Sequence, residues 1–117
     1  MKFVRKGGYF GWHDEFWIYP DGRVLNSAGK TARIRTDLVT KWMEIISPVA
    51  VPVSKKTPFL GPMGWDCYMY GITVYEKGEA KTLSLICTDA YIFDKEGEIS
   101  VIDIGPIRDT LMSLSWE

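Results

Sequence analysis

Histidine occurs once in this chain, at His13, and cysteine twice, at Cys67 and Cys87. A zinc site needs three or four protein ligands. His13 and Glu15 can share one face of a strand, which supplies only two. A thiol nucleophile needs a base beside it, and neither cysteine has a histidine near it in sequence. No glycine-rich phosphate loop, HExxH or CxxC pattern is present. No apolar run approaches the ~20 residues of a membrane helix. The first residues, Met1-Lys2-Phe3-Val4-Arg5-Lys6, lack a signal-peptide core. These gaps point away from an enzyme, from a metal or any other cofactor, and from a membrane partner. They leave binding as the chemistry to look for.

What the chain has in excess is aromatic surface. Five tryptophans and 14% aromatic residues in 117 positions exceed what one core needs, so some rings are expected on a recognition surface. The length suits a single domain, 1–117. The net charge of −1 hides an asymmetry. Residues 1–41 hold eight Lys/Arg against four Asp/Glu, and residues 42–117 hold six against eleven. Arg5, Lys6, Arg33 and Arg35 are the residues from which a nucleic-acid face would be built. No nucleic-acid motif accompanies them, and an interleaving of the charges by the fold is preferred.

Alternating patterns and turn residues predict an α+β fold, an antiparallel sheet built from hairpins with two helices. Phe3-Val4-Arg5 is a first short strand. Asp14–Tyr19 and Arg23–Ser27 flank Pro20-Asp21-Gly22. A two-residue Asp21-Gly22 turn would set Ile18 opposite Leu25, both on the buried face. A helix over 37–47, capped by Thr36, buries Leu38, Trp42, Ile45 and Ile46. Four prolines between 48 and 66 predict a long loop with no regular element. Cys67–Tyr75 and Ala80–Thr88 form a hairpin around Lys77-Gly78. Its register puts Ile72 opposite Leu83, Tyr70 opposite Leu85 and Tyr68 opposite Cys87. Cys67 then falls on the other face from Cys87, which predicts two free thiols and a reducing compartment, beside the cytoplasmic location expected from the missing signal-peptide core. A second hairpin turns at Lys95-Glu96-Gly97-Glu98. Gly105-Pro106 opens a closing helix over 106–116.

Two segments stand out as candidate partner-binding surfaces. Gly7-Gly8-Tyr9-Phe10-Gly11-Trp12 packs glycines among large aromatics, the composition of a shaped loop presenting rings. Thr57-Pro58-Phe59-Leu60-Gly61-Pro62 brackets two apolar side chains between prolines. The candidate residues are Gly8, Tyr9, Phe10, Gly11, Trp12, Phe59 and Leu60. The plain alternative is that these rings cap or plug the core.

The order of these signals resembles the emfourin family, small inhibitors of thermolysin-like zinc metallopeptidases. The resemblance is carried by Gly7-Gly8-Tyr9-Phe10-Gly11, by the strand–Asp-Gly–strand Phe16–Val24, by the central helix, and by Asp66-Cys67-Tyr68-Met69-Tyr70 before a hairpin and closing helix. It implies an antiparallel sheet with two helices and a metallopeptidase as protein partner. The expected function is occlusion of the active-site cleft. The alternatives are a protein-interaction module with no protease target, such as a bacterial or phage accessory protein, and a nucleic-acid-binding domain.

Overall fold

The computed structural model describes residues 1–7, 12–53 and 67–117. Antiparallel strands form a seven-stranded sheet in the order β4-β3-β2-β1-β6-β7-β5. These are β1 (Lys2–Gly7), β2 (Trp12–Ile18), β3 (Arg23–Asn26), β4 (Thr31–Arg33), β5 (Val51–Pro52), β6 (Tyr68–Glu76) and β7 (Glu79–Ile86). A separate ribbon pairs β8 (Ala90–Lys95) with β9 (Glu98–Asp103). The helices are α1 (Thr36–Ile46) and α2 (Gly105–Met112). The expected α+β architecture is therefore the one observed.

Strand alternation explains where the core sits. Phe3 on β1 lies between Phe16 of β2 and Ile72 of β6 and is fully buried. Its ring lies 6.2 Å from Phe16 and 6.0 Å from Tyr70. Burial of an apolar side chain of this size contributes about 2–3 kcal/mol. Val39, Trp42 and Ile46 of α1, Ile107 and Leu111 of α2, and Ile102 of β9 join the same cluster. Both helices and the ribbon thus cover one face of the sheet. The stripe on α1 centres on Val39, Trp42 and Ile46, with Leu38 and Ile45 at its flank. The opposite sheet face carries Lys2, Val4, Lys6, His13, Glu15, Met69 and Thr73.

The first hairpin departs from the expected register. Ile18 pairs with Val24 and Trp17 with Leu25. The connection is a three-residue loop, Pro20-Asp21-Gly22, closed by Tyr19 N donating to Arg23 O at 2.9 Å and Gly22 N donating to Tyr19 O at 3.0 Å. Proline suits the second position of such a turn, and Gly22 then takes the left-handed conformation that ends it, φ +89°. The buried pair is consequently Ile18 with Val24 rather than Ile18 with Leu25. Gly22 is fixed twice over, because a Cβ there would run into the Ile34 carbonyl oxygen.

Other boundaries also move. Thr36 opens α1 as its first helical residue, Arg35 stands at the cap position, and no side chain caps the helix. Arg35 Nε instead donates to Asp37 Oδ1 at 2.9 Å. Residues 48–66 do contain a regular element, the short edge strand β5, where Val51 pairs with Thr82 and Pro52 with Lys81. Proline is tolerated there because an edge strand can leave its N–H side unpaired. The closing helix stops at Met112 rather than running to 116. Beyond it the chain crosses to β4, where Glu117 and Thr31 exchange backbone hydrogen bonds of 2.9 and 3.1 Å. Trp116 stacks on Phe16, with ring centroids 5.8 Å apart. Packing one more indole onto the core outweighs another turn of helix.

The end of α1 is tied to the sheet. Ser47 Oγ donates to Glu76 Oε2 at 2.7 Å, and Lys81 Nζ donates to Ser47 O at 3.1 Å. The Ser47 hydroxyl, and Lys81 after it, hold the Glu76 carboxyl below the usual carboxylate range. An acid with a depressed folded-state pKa binds its proton more readily in the unfolded chain. Its stabilisation is therefore present above the unfolded-state pKa and is lost as pH falls through the folded-state pKa. Glu76→Gln should flatten the stability loss between about pH 5 and 3 relative to the parent, as read from urea midpoints. Gly22→Ala should lower stability by of order 1–3 kcal/mol through positive-φ strain and the collision with Ile34. An unchanged urea midpoint would contradict this turn geometry.

Candidate functional site

Of the residues singled out in the sequence, Gly8, Tyr9, Phe10, Gly11, Phe59 and Leu60 lie outside the described residues. Trp12 is the first residue of β2, and its side chain lies outside the description as well. The flanks of both segments are described, however, and three of the four meet. Gly7 pairs with Trp12 across β1 and β2 and with Tyr68 across β1 and β6. The flanks Gly7, Trp12 and Cys67 therefore stand together at one rim of the sheet. Gly7 has φ +102°, and a Cβ on it would stand 2.9 Å from the Cys67 carbonyl oxygen. The backbones at this rim approach too closely for any larger residue. The other flank, Val53, is bonded to Ala80 O at the far end of β7.

Cys67 and Cys87 form a disulfide at the rim, with Cα atoms 4.9 Å apart. This overturns the expectation of two free thiols and the argument for a reducing compartment built on it. The predicted register itself holds, from Glu76 with Glu79 through Ile72 with Leu83 to Met69 with Ile86. Cys87 N donates to Tyr68 O at 3.0 Å, as that register requires. What fails is strict alternation of side chains. Cys87 has φ +59°, a left-handed conformation that turns its side chain out of the strand pattern. The separation lies within the range a disulfide spans.

Beneath the rim lies a cavity of about 310 Å³ lined by the disulfide, Tyr68, Tyr70, Thr88, Asp89 and Arg108. A ladder of charges and rings runs from Arg5 and Asp14, outside the cavity, to Tyr68, Tyr70 and Arg108 in its wall. Arg5 donates from Nη2 and Nε to Asp14 Oδ2 at 2.6 and 3.1 Å. The Arg5 guanidinium sits 4.7 Å from the centre of the Tyr68 ring, and Tyr68 lies 6.3 Å from Tyr70. Arg108 lies 6.0 Å from the Tyr70 ring and donates to Asp89 Oδ2 at 2.9 Å and Asp109 Oδ1 at 3.1 Å. Hydrogen bonding to the Tyr70 hydroxyl, then to Asp109 and Asp89, raises the Arg108 pKa still further. Both guanidiniums are thereby held by carboxylates. The arrangement stiffens the rim and leaves room for about one large side chain, at the lower end of pocket sizes.

His13 Nε2 and Glu15 Oε1 are 3.0 Å apart on the open face, as a shared strand face requires. The His13 hydrogen bond, ahead of Lys2, holds the Glu15 carboxyl below its usual range. Among the described residues no three His, Cys, Asp or Glu side chains cluster to hold a metal ion. The four basic residues considered for a nucleic-acid face do not share one. Arg5 and Lys6 are successive strand residues on opposite faces, Arg33 lies on edge strand β4, and Arg35 is paired with Asp37. Sequence reasoning missed a second, apolar cavity of about 480 Å³ between α1 and the end of β2, walled by Trp17, Tyr19, Pro20, Met43 and Tyr75. Tyr19-Pro20 before the turn is its signal in sequence. No described helix is long and apolar enough to cross a membrane.

Comparison with family models, with curated proteins and with solved structures gives no match.

Thiol titration of the unreduced protein in denaturant should find neither cysteine reactive. With the bond closing a separation of 20 residues, the double variant Cys67→Ser with Cys87→Ser should be about 3 kcal/mol less stable in urea unfolding than the oxidised parent. Two titratable thiols would contradict the bond.

Proposed function

We propose that this chain is a non-catalytic binding domain that inhibits a thermolysin-like zinc metallopeptidase by occluding its active-site cleft. The observation that carries the reading is the convergence of both flanks of 8–11 and the C-terminal flank of 54–66 on one rim, where Gly7, Cys67 and the disulfide fix the backbone. A binding surface made of two segments gains from such anchoring, since less freedom is lost on docking. Proline on either side of Phe59-Leu60 acts in the same direction. Tyr9 and Phe10, or Phe59 and Leu60, supply the large apolar groups that would fill the enzyme's specificity pocket. The resemblance in Gly7–Gly11 and Asp66–Tyr70 supplies the choice of enzyme class. Because a structural disulfide persists in oxidising surroundings, the proposal places inhibitor and target there rather than in the cytoplasm first expected.

Titration of an active-site-counted thermolysin-like peptidase should give loss of activity at one inhibitor per enzyme, with no relief by excess zinc. Tyr9→Ala with Phe10→Ala, or Phe59→Ala with Leu60→Ala, should weaken inhibition by more than ~1 kcal/mol while leaving the melting transition in place. The pair that loses more identifies the segment in the cleft. Absence of both inhibition and a complex on a sizing column, across a panel of such enzymes, would remove the protease reading. It would leave a binding domain for another protein.

A further inference from the structure

The β8–β9 ribbon carries a surface that the proposed inhibitory rim does not use. Its inner side packs Ile102, 6% exposed, into the core, while Ile92, Ile99 and Val101 on its outer side are 66%, 78% and 60% exposed. Ile92 lies opposite Val101, and Ile99 is two residues from Val101, so the three share one face. Ile104 N donates to Asp89 O at 2.8 Å. Counting along the register from that bonded pair, Ile102 with Tyr91, Ser100 with Phe93 and Glu98 with Lys95 are also bonded pairs. The backbone N–H and C=O groups of Ile99, Val101 and Asp103 therefore point away from β8. Among the described residues they have no backbone partner.

The contrast is with the edges of the main sheet. The main sheet ends on one side in β5, two residues long and containing Pro52, and on the other in β4, three residues long and paired through Thr31 with Glu117. Short edges, proline and covering segments are the usual ways of blocking unwanted strand addition. β9 is six residues long, contains no proline and has no covering segment among the described residues. Its charges are of one sign. Glu96, Glu98 and Asp103 flank the aliphatic pair and are exposed.

We infer that the outer edge of β9 is a docking site for an extended basic segment of a partner protein, which adds to the ribbon as a third strand. Backbone hydrogen bonds to Ile99, Val101 and Asp103 supply affinity, and alternate aliphatic side chains cover Ile92, Ile99 and Val101. Lys or Arg side chains, on the segment's other face, meet Glu98, with Glu96 beside it in the turn. A second copy of this chain is the poorer occupant, because its β9 brings the same acidic residues to the pairing. The outer face of a six-residue, two-strand ribbon, roughly 20 by 10 Å, also falls well short of the ~800 Å² per partner of a stable interface.

The test uses the whole, oxidised protein and a fluorescein-labelled octapeptide alternating valine and lysine. Two controls accompany it, one alternating valine and glutamate, the other the lysine peptide N-methylated on alternate amides. The lysine peptide should bind, more weakly as salt rises, and slow amide exchange at Ile99 and Val101. Both controls should bind about tenfold more weakly or worse. Ile99→Lys and Glu98→Lys, each at an exposed position, should weaken binding of the lysine peptide to a similar degree. Circular dichroism melts should show both variants folded. Failure of the lysine peptide to bind, equal binding of the N-methylated peptide, or protection mapping elsewhere would each overturn the inference. So would a concentration-dependent dimer abolished by Val101→Lys, which would assign the edge to a second copy. None of these outcomes bears on peptidase inhibition, which is read separately.

Discussion

The pairing of β1 on both of its sides is the constraint on which the rest of the structure depends. β1 is the centre of the sheet, bonded to β2 a few residues later and to β6 some sixty residues later. The second pairing joins the N-terminal meander to the C-terminal hairpin, and without it neither half has a closed core. Phe3 is the side chain that makes the junction favourable, since its ring touches Phe16 from one half and Tyr70 from the other. Loop closure over such a distance costs entropy that only burial on this scale offsets. Loss of a few atoms at Phe3 would therefore be felt at both neighbours rather than locally.

From that centre the molecule is closed by ties of a different kind at its ends. Ser47, Glu76 and Lys81 hold the end of α1 to the β6–β7 turn. Glu117 and Trp116 return the tail to β4 and Phe16. The disulfide, with Arg5–Asp14 and Arg108–Asp89, does the same for the opposite rim. Ion pairs this exposed contribute little each. Their service is geometric, because they fix the backbone from which residues 8–11 and the end of 54–66 depart. Stability is concentrated on one face of the sheet, and exposed aliphatic side chains are left on the β8–β9 ribbon.

Much of this was legible in the sequence because the signals were local. Alternation in Cys67–Tyr75 and Ala80–Thr88, with Lys77-Gly78 between them, set the register of β6 and β7 correctly. The β8–β9 hairpin followed from Glu96-Gly97 in the same way. What escaped was decided by distant partners. β4 and β5 are two or three residues long and are strands only because β3 and β7 offer edges to them. The end of α2 was set by Trp116 reaching Phe16, which no helical propensity records. At Pro20-Asp21-Gly22 the signal was local but ambiguous, and the proline tipped a two-residue turn into a three-residue loop. The candidate residues Gly8–Trp12, Phe59 and Leu60 came from composition alone, while the Arg5–Tyr68–Tyr70–Arg108 ladder near Gly7 and Cys67 needed the sheet to assemble it.

Cys87 shows why a correct register can still mislead. The period-2 rule assigns each side chain to a face on the assumption that every residue stays extended. One residue at positive φ breaks the assumption without disturbing the pairing before it. The cost of that conformation, about 1–2 kcal/mol for a residue other than glycine, is repaid here by a covalent bond that closes the hairpin at its open end. The same bond sits where Gly7 and Cys67 bring two backbones into contact. The strained residue, the disulfide and the glycine thus converge on one place, beside both flanks of 8–11 and the C-terminal flank of 54–66. Local strain accumulates where something other than packing selects the geometry, and at this rim that selection is made by the disulfide and by the close approach of Gly7 to Cys67.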